Sequence, residues 1–577
     1  MSAMGCGAAL TMSCTFAEQV PGTQLEAAAR PAQPSKPAPA NLLQLAPGAI
    51  PAIPASSAIP AAPVMRDTGA RIALSQFRFS GNAAQPSPTL AALLTAYVGR
   101  VLTLAELNEA ADVVQRHYRA HGWFLAQAYV PAQLPANGVV EIAVLEGRID
   151  TLTVNVAPDA PIRADYARQL IAAALYPGQT LTESAVESPL LLMRDLPRVD
   201  ARSVINPGTV PGSASITLNL ARDPDAAIIN GRVELDNYGS RASGTNRLGA
   251  ELNVNNPYGF GDALSLKGVV ASEHGNRFGR ADYSVPVGAG GARIGASVAR
   301  LDYVLGQAFD SIKPNGIANV YAARASYPLL RGRNRNLQAQ LLLERKELED
   351  RTTAPFSSDR QRLTSGTFRL SGDARDADGG VTQVGVSATS GTLRENDPLR
   401  LINDALTYRA EGRFAKYGVS VQRQQQLAPG LHAMLSASGQ RANKNLTSAE
   451  KYALGGDSTV RAYPLGVLVG DHGYSATAEL RWAPAALQRA RFNLAAIVFY
   501  DIGQVTRNHD NGNAQVAVAA NTARISAVGT GVQLGYGAHL LFKVAVAWQA
   551  KKLPTSDPAA AAAGRGARAW AQLGYAF

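Results

Sequence analysis

The sequence predicts a multidomain chain: two small α+β domains in tandem, then a C-terminal antiparallel transmembrane β-barrel of about sixteen strands. Three observations predict this. A G-x-x-L-T segment occurs twice, at Gly99 and Gly178, 178 − 99 = 79 residues apart, and each copy precedes a helical pattern. From about Asp225 onward, helical spacing gives way to alternation of period two. The chain ends Leu573-x-Tyr575-x-Phe577, with alternate apolar residues on one face and an aromatic last, as barrel strands of outer membranes commonly finish.

Composition sets the frame for these elements. The 577 residues are 17% charged and 46% hydrophobic, enough to bury a large apolar surface in several domains. The one long uncharged run, Pro37 to Met65, carries seven prolines that would break helical hydrogen bonding, so a membrane span has to be built from strands. A formal charge of +11 invites a nucleic-acid reading, but Lys and Arg are spread along the chain without a basic stripe or interleaved aromatics, which argues against it. The pair Cys6 and Cys14 gives neither a zinc site nor a disulfide scaffold. Residues 1–17 read as a signal peptide cleaved after Ala17, and residues 18–70 as a Pro/Ala-rich, extended linker.

The first small domain spans residues 71–150. Phe77 and Phe79 end a strand, and Ser87-Pro88 starts a helix with Leu90, Leu93, Leu94 and Tyr97 on one face. A second helix begins at the capping box Thr103-x-x-Glu106, presents Leu107, Ala111, Val114 and Tyr118, and stops at Gly122. Strands Phe124 to Val130 and Val139 to Leu145 complete a β-α-α-β-β order. The second domain, residues 151–224, repeats it: Leu152, Val154 and Val156 alternate, helices fall near Ala164 to Leu175 and Thr182 to Leu196, and Ala214, Ile216, Leu218 and Leu220 alternate again.

Residues 225–577 form the barrel. Ala292, Ile294, Ala296 and Val298 alternate with polar or small partners, as do Leu337, Ala339, Leu341 and Leu343, and Ala476, Ala478, Leu480 and Trp482. The 577 − 224 = 353 residues allow about sixteen strands at ~10 residues per span plus a turn or loop.

Several segments together resemble the two-partner secretion transporters, the TpsB type that serves haemolysin and filamentous-haemagglutinin proteins, within the superfamily of outer-membrane assembly factors. They are His117 to Gln133 and Val144-Leu-Glu-Gly-Arg-Ile149 in the first small domain, then Asp236-Asn-Tyr-Gly239 and Asn256-Pro-Tyr-Gly-Phe-Gly-Asp262 at the start of the barrel. Most diagnostic are Gly455-Gly-Asp-Ser-Thr-Val-Arg-Ala-Tyr-Pro464, Gly470-Asp-His-Gly473, Glu479-Leu480 and Phe499-Tyr-Asp-Ile-Gly503. The family pattern at the loop tip is Val-Arg-Gly followed by an aromatic, and here Ala462 takes the glycine's place between Arg461 and Tyr463.

The resemblance implies that the small domains are POTRA domains in the periplasm and that the barrel sits in the outer membrane of a Gram-negative bacterium. It implies a long sixth loop folded into the lumen, with Val460, Arg461 and Tyr463 at its tip and Asp501 and Gly503 on the facing strand, Arg461 pairing with Asp501. A guanidinium and a carboxylate form parallel charge-assisted hydrogen bonds that pin such a loop. The implied partners are a secreted exoprotein of the TpsA type, haemolysin- or adhesin-like, outer-membrane lipid, and the barrel assembly machinery that reads the end at Tyr575 and Phe577. Cargo capture is expected at an exposed strand edge of the second domain, at Ala214, Ile216 and Leu218. The family often has an N-terminal plug helix, for which Gly22 to Arg30 is a short candidate and Asn41 to Leu45 no better.

Two other function classes stand beside export. An insertase that assembles other barrels shares the fold and loop but usually has more POTRA domains, and a passive porin would have no use for the tandem repeat. No enzymatic role, cofactor or metal is expected. His117 and His121, one helical turn apart, have no third ligand nearby. Ser458, Asp471 and His472 lack a G-x-S-x-G turn, and Gly288 to Gly291 lacks the Lys-Ser/Thr of a phosphate loop.

Overall fold

The computed structural model describes residues 43–45 and 71–577, apart from 273–275, 307–313, 354–355, 489–490, 513–519 and 565. The expected signal peptide and the Gly22 to Arg30 helix candidate lie outside the described residues.

In the first small domain the second helix runs Leu104–Ala120. The Glu106 amide donates to the Thr103 hydroxyl at 3.3 Å, and the Thr103 amide donates to the Glu106 carboxylate at 2.8 Å. These bonds hold the Glu106 carboxyl below its usual titration range. The helix buries Leu107, Ala111, Val114 and Tyr118 against Val140, Ile142 and Val144. Those three lie on strand Val139–Leu145, which runs between Gln76–Ser80 and Gln127–Tyr129. Glu146, just after that strand, accepts from the Tyr118 hydroxyl at 3.0 Å and the Ala84 amide at 2.6 Å, closing the far end of the core.

The strand expected over Phe124 to Val130 is shorter, Gln127–Tyr129. Phe124 and Leu125 turn away instead to pack into the core of the second domain, where Leu125 is fully buried. The Glu183 amide donates to the Gly122 carbonyl at 2.9 Å beside this contact. The two repeats therefore share a hydrophobic junction.

The second domain has helices Ala164–Ala174 and Glu183–Arg194 over a sheet of Arg148–Val156, Ser213–Arg222 and Val199–Pro207. The expectation of an exposed edge at Ala214, Ile216 and Leu218 is corrected here. Ser213–Arg222 is the central strand, parallel to Arg148–Val156 and antiparallel to Val199–Pro207, and the three residues are at most 1% exposed. Period-two alternation reports which face is buried but not which strand lies at the rim. The domain's own sheet ends at Arg148–Val156 on one side and Val199–Pro207 on the other, and the outer side of Val199–Pro207 pairs in parallel with Leu43–Leu45 from the linker, Leu43 opposite Ser203 and Leu45 opposite Ile205.

Sixteen antiparallel strands close the barrel, from Ile229–Asp236 to Ala567–Ala576. The first and last strands pair from Arg232 opposite Ala576 to Asp236 opposite Gln572, and Gly231 and Phe577 exchange two backbone hydrogen bonds of 3.0 Å. Ile294, Val298, Leu341, Leu343, Leu480 and Trp482 are exposed on the outer face, the apolar belt that lipid covers. Tyr575 and Phe577 join this belt, their rings stacked at 6.5 Å.

The second domain abuts the short turns at one rim of the barrel. Arg331 grips Asp195 with two bonds of 2.8 and 2.9 Å, Arg333 pairs with Glu187, and the Tyr166 hydroxyl donates to the Gly288 carbonyl at 3.2 Å. Gly288 to Gly291 is thus a hairpin turn whose backbone also seats the neighbouring domain. A Cβ on Gly291 would lie 2.6 Å from the Leu192 side chain, so glycine permits this approach.

Candidate functional site in the barrel lumen

The longest connection, between the eleventh strand Leu431–Ala442 and the twelfth, His472–Trp482, folds back inside the barrel. A two-stranded hairpin, Tyr452–Leu454 with Leu468–Gly470, gives it a spine. Below the spine, the Gly456 amide donates to the Tyr463 carbonyl at 2.9 Å and the Tyr463 amide to the Val460 carbonyl at 3.1 Å, folding the tip into a compact turn. Val460, Ala462 and Tyr463 are buried there with Leu454 and Val467, against Phe499, Ile525, Ala527, Ala545 and Ala547 of strands thirteen to fifteen. The alanines keep that wall concave, and Gly503 does the same job beside the spine, since a Cβ there would lie 2.8 Å from Leu454.

Arg461 projects from this tip into a ring of fixed acceptors. Its Nε and one terminal nitrogen donate to the two oxygens of Asp501, both at 2.8 Å, and its own amide donates to Asp501 at 3.1 Å. The other terminal nitrogen donates to Glu479 at 2.8 Å. The guanidinium carbon stands 3.2 Å from the centre of the Phe499 ring. Thr477 donates to Asp501 at 3.0 Å, Arg481 to Glu479 at 2.7 Å, and the Trp570 indole to the Arg461 carbonyl at 2.6 Å. Asp501 is fully buried, and Arg461 and Glu479 nearly so.

The alternation explains this convergence. Asp501 lies opposite Thr477 across strands twelve and thirteen, so Thr477, Glu479, Arg481, Phe499, Asp501 and Gly503 all face the lumen. The motif resemblance pairs Arg461 with Asp501 and gives no role to Glu479, Phe499, Thr477 or Trp570. Glu479 lies in a segment of the resemblance and on the polar face of its strand, and both are signals; Trp570 is 109 residues from Arg461 and carries none. Ala462 holds an ordinary negative φ, so the side chain in the glycine's place is accommodated and adds to the buried contact.

The root of the loop is also tied down. Asp471 accepts from the Leu446 amide at 2.9 Å, from Lys451 at 2.9 Å and from the His509 amide at 2.8 Å. His472 accepts from the Ala442 amide at 3.1 Å. These two residues serve the architecture of the loop, which accounts for their proximity to Ser458 in sequence. His121 Nδ1 bonds the His117 carbonyl at 2.7 Å, and among the described residues no group of three or more candidate side chains is placed to hold a metal.

The family model for the haemolysin secretion/activation protein ShlB/FhaC/HecB matches residues 214–532, more than half of the chain. The chain belongs to this family. A second family model, the ShlB-type POTRA domain, matches residues 72–147. Among curated relatives, the heme/hemopexin transporter protein HuxB of Haemophilus influenzae is 25% identical over 459 residues, covering 79% of this chain and 80% of its own. The outer membrane transporter CdiB of Dickeya dadantii strain 3937 is 23% identical over 421 residues, covering 71% and 72%. Among solved structures, CdiB from Escherichia coli has the same fold at a TM-score of 0.69, with 20% identity over 91% of this chain and 93% of that one. CdiB from Acinetobacter baumannii follows at 0.64, with 14% identity over 98% and 99%.

As a member of the ShlB/FhaC/HecB family the chain is a two-partner secretion transporter of the Gram-negative outer membrane, with its POTRA domains in the periplasm. The rim that meets the second POTRA domain is therefore periplasmic, and the long loops open at the cell surface. Its partner is a secreted protein.

Proposed function

We propose that this transporter receives an unfolded exoprotein at its POTRA pair and passes it outward through a lumen that the Arg461 lock holds shut at rest. The carrying observation is the saturation of Arg461: both carboxylates it meets are buried, and side chain and backbone are held together. Burying three charges costs desolvation that their attraction largely cancels, so the net stabilisation is small and the gain is a defined loop position. Such a loop is one whose release a moderate force can drive.

Cargo capture is assigned to the outer side of Val199–Pro207, because that rim accepts a strand, as its pairing with Leu43–Leu45 demonstrates. Cargo arriving there competes with the protein's own linker. Once the chain is threaded, folding outside the cell biases the direction of travel, and no catalytic step or cofactor is required. The family's description as haemolysin secretion/activation proteins supports a haemolysin- or adhesin-type cargo of the TpsA class. The outward Tyr575 and Phe577 meet lipid and supply the terminal aromatic that the barrel assembly machinery recognises.

Arg461→Ala and Asp501→Ala test the lock. Both variants are expected to reach the outer membrane as heat-modifiable barrels while cargo release into the medium falls to background, because a tip without its defined position no longer couples the arrival of cargo to opening. Normal export by both overturns the lock.

A further inference from the structure

Among the described residues the Arg461 tip packs on one side of the lumen, at strands twelve to sixteen, and the loop also reaches the opposite side. Its root segment, Leu446 to Glu450, packs Leu446 against Leu363 and Phe414, and Ala449 against Ala318 and Leu348. Glu450 is 2% exposed and lies between two lysines: its carboxylate meets Lys346 of the seventh strand at 2.7 Å and Lys416 of the tenth at 2.8 Å. Its carbonyl accepts from Lys416 at 3.1 Å and from Gln440 at 2.9 Å. An acidic side chain placed between two half-buried ammonium groups neutralises charges that would otherwise repel each other across the strands.

We infer that Glu450 is a positioning residue, a second lock that ties the root of the loop across the lumen to Lys346 and Lys416 and keeps the channel occluded independently of the Arg461 tip. The loop is then a crossbar fixed at both ends, and releasing the tip alone leaves the root segment lying over the passage. This inference rests on the reading that the loop occludes the channel.

Conductance in planar lipid bilayers, with uptake of a large antibiotic by intact cells, reads the state of the crossbar. Glu450→Gln keeps the shape and removes the charge. Breaking a buried pair should raise the open fraction at least about tenfold, with heat-modifiable mobility unchanged. The double variant Lys346→Gln/Lys416→Gln should leak to a similar extent, and the triple variant should leak no more than either, because all three groups act as one unit. If Glu450→Gln fails to insert, the lysine variant carries the same test. Resting conductance at the wild-type level in the inserted variants, or leaks that add in the triple, overturns the second lock and leaves the Arg461 lock standing. Normal export by Arg461→Ala and Asp501→Ala overturns the tip lock instead.

Discussion

The second POTRA sheet and the barrel wall use the same alternation for opposite ends. In Ser213–Arg222, Ala214, Ile216, Leu218 and Leu220 face a core that excludes everything but protein, and all are at most 1% exposed. In the seventh barrel strand, Arg335–Thr353, Leu337, Leu341 and Leu343 alternate just as regularly and are 38 to 53% exposed. One sheet hides its apolar face behind helices, while the other offers it to lipid. Burial is therefore a guide to stability in the first region and a guide to function in the second, where the lumen buries charged groups such as Arg461, Glu479 and Asp501 beside the apolar residues of the folded-in loop.

Substitutions at matched positions can break or sharpen this contrast. The largest expected effect is in the POTRA core: Ile216→Ala leaves a cavity that rigid neighbours cannot fill and should cost about 3–4 kcal/mol, read by urea unfolding. Leu341→Arg places a charge on the lipid face and should cost about 2–3 kcal/mol if the position lies near the bilayer midplane, measured by refolding into liposomes. Leu341→Ala should cost only about 1 kcal/mol, because fluid lipid closes over the missing atoms. Equal losses for Ile216→Ala and Leu341→Ala would erase the distinction. The helix cap belongs at the same low end: Thr103→Ala should cost about 1 kcal/mol. The Glu106 carboxyl is depressed in the folded state, so its contribution is present above the ordinary carboxylate range and disappears as pH falls through the lowered value. In Thr103→Ala that acid sensitivity should shrink, which a melting series between neutral and acidic pH would measure.

Much of this molecule was legible from residue order alone. The Thr103 capping box, the stop at Gly122 and the strand Val139–Leu145 are local signals, set by neighbours within a turn or two, and they appear where the sequence places them. The barrel was legible because lipid enforces period two over many strands. The pairing of Arg461 with Asp501 came from a resemblance carried by motif, and the geometry brings the two side chains together. What escaped was order across the sheet. Nothing in Ala214 to Leu220 tells whether that strand is central or peripheral, because both positions bury one face. Nor does any local pattern announce that Trp570 reaches the Arg461 carbonyl, or that Glu450 meets lysines from two distant strands, since such contacts depend on how the barrel closes.

Leu125 carries a lesson for how the periplasmic arm should be dissected. Its side chain belongs by sequence to the first POTRA domain and by packing to the core of the second, and the Gly122 carbonyl caps a helix of that second domain. The repeats are thus poor modules. Cutting the arm at residue 147 removes a plug from the remaining domain's interior and uncovers apolar surface, so a truncated transporter that fails to secrete reports a damaged neighbour as readily as a missing cargo receptor. A deletion that retains Gly122 to Leu125, or swaps the outer domain while keeping that tetrapeptide, separates the two causes.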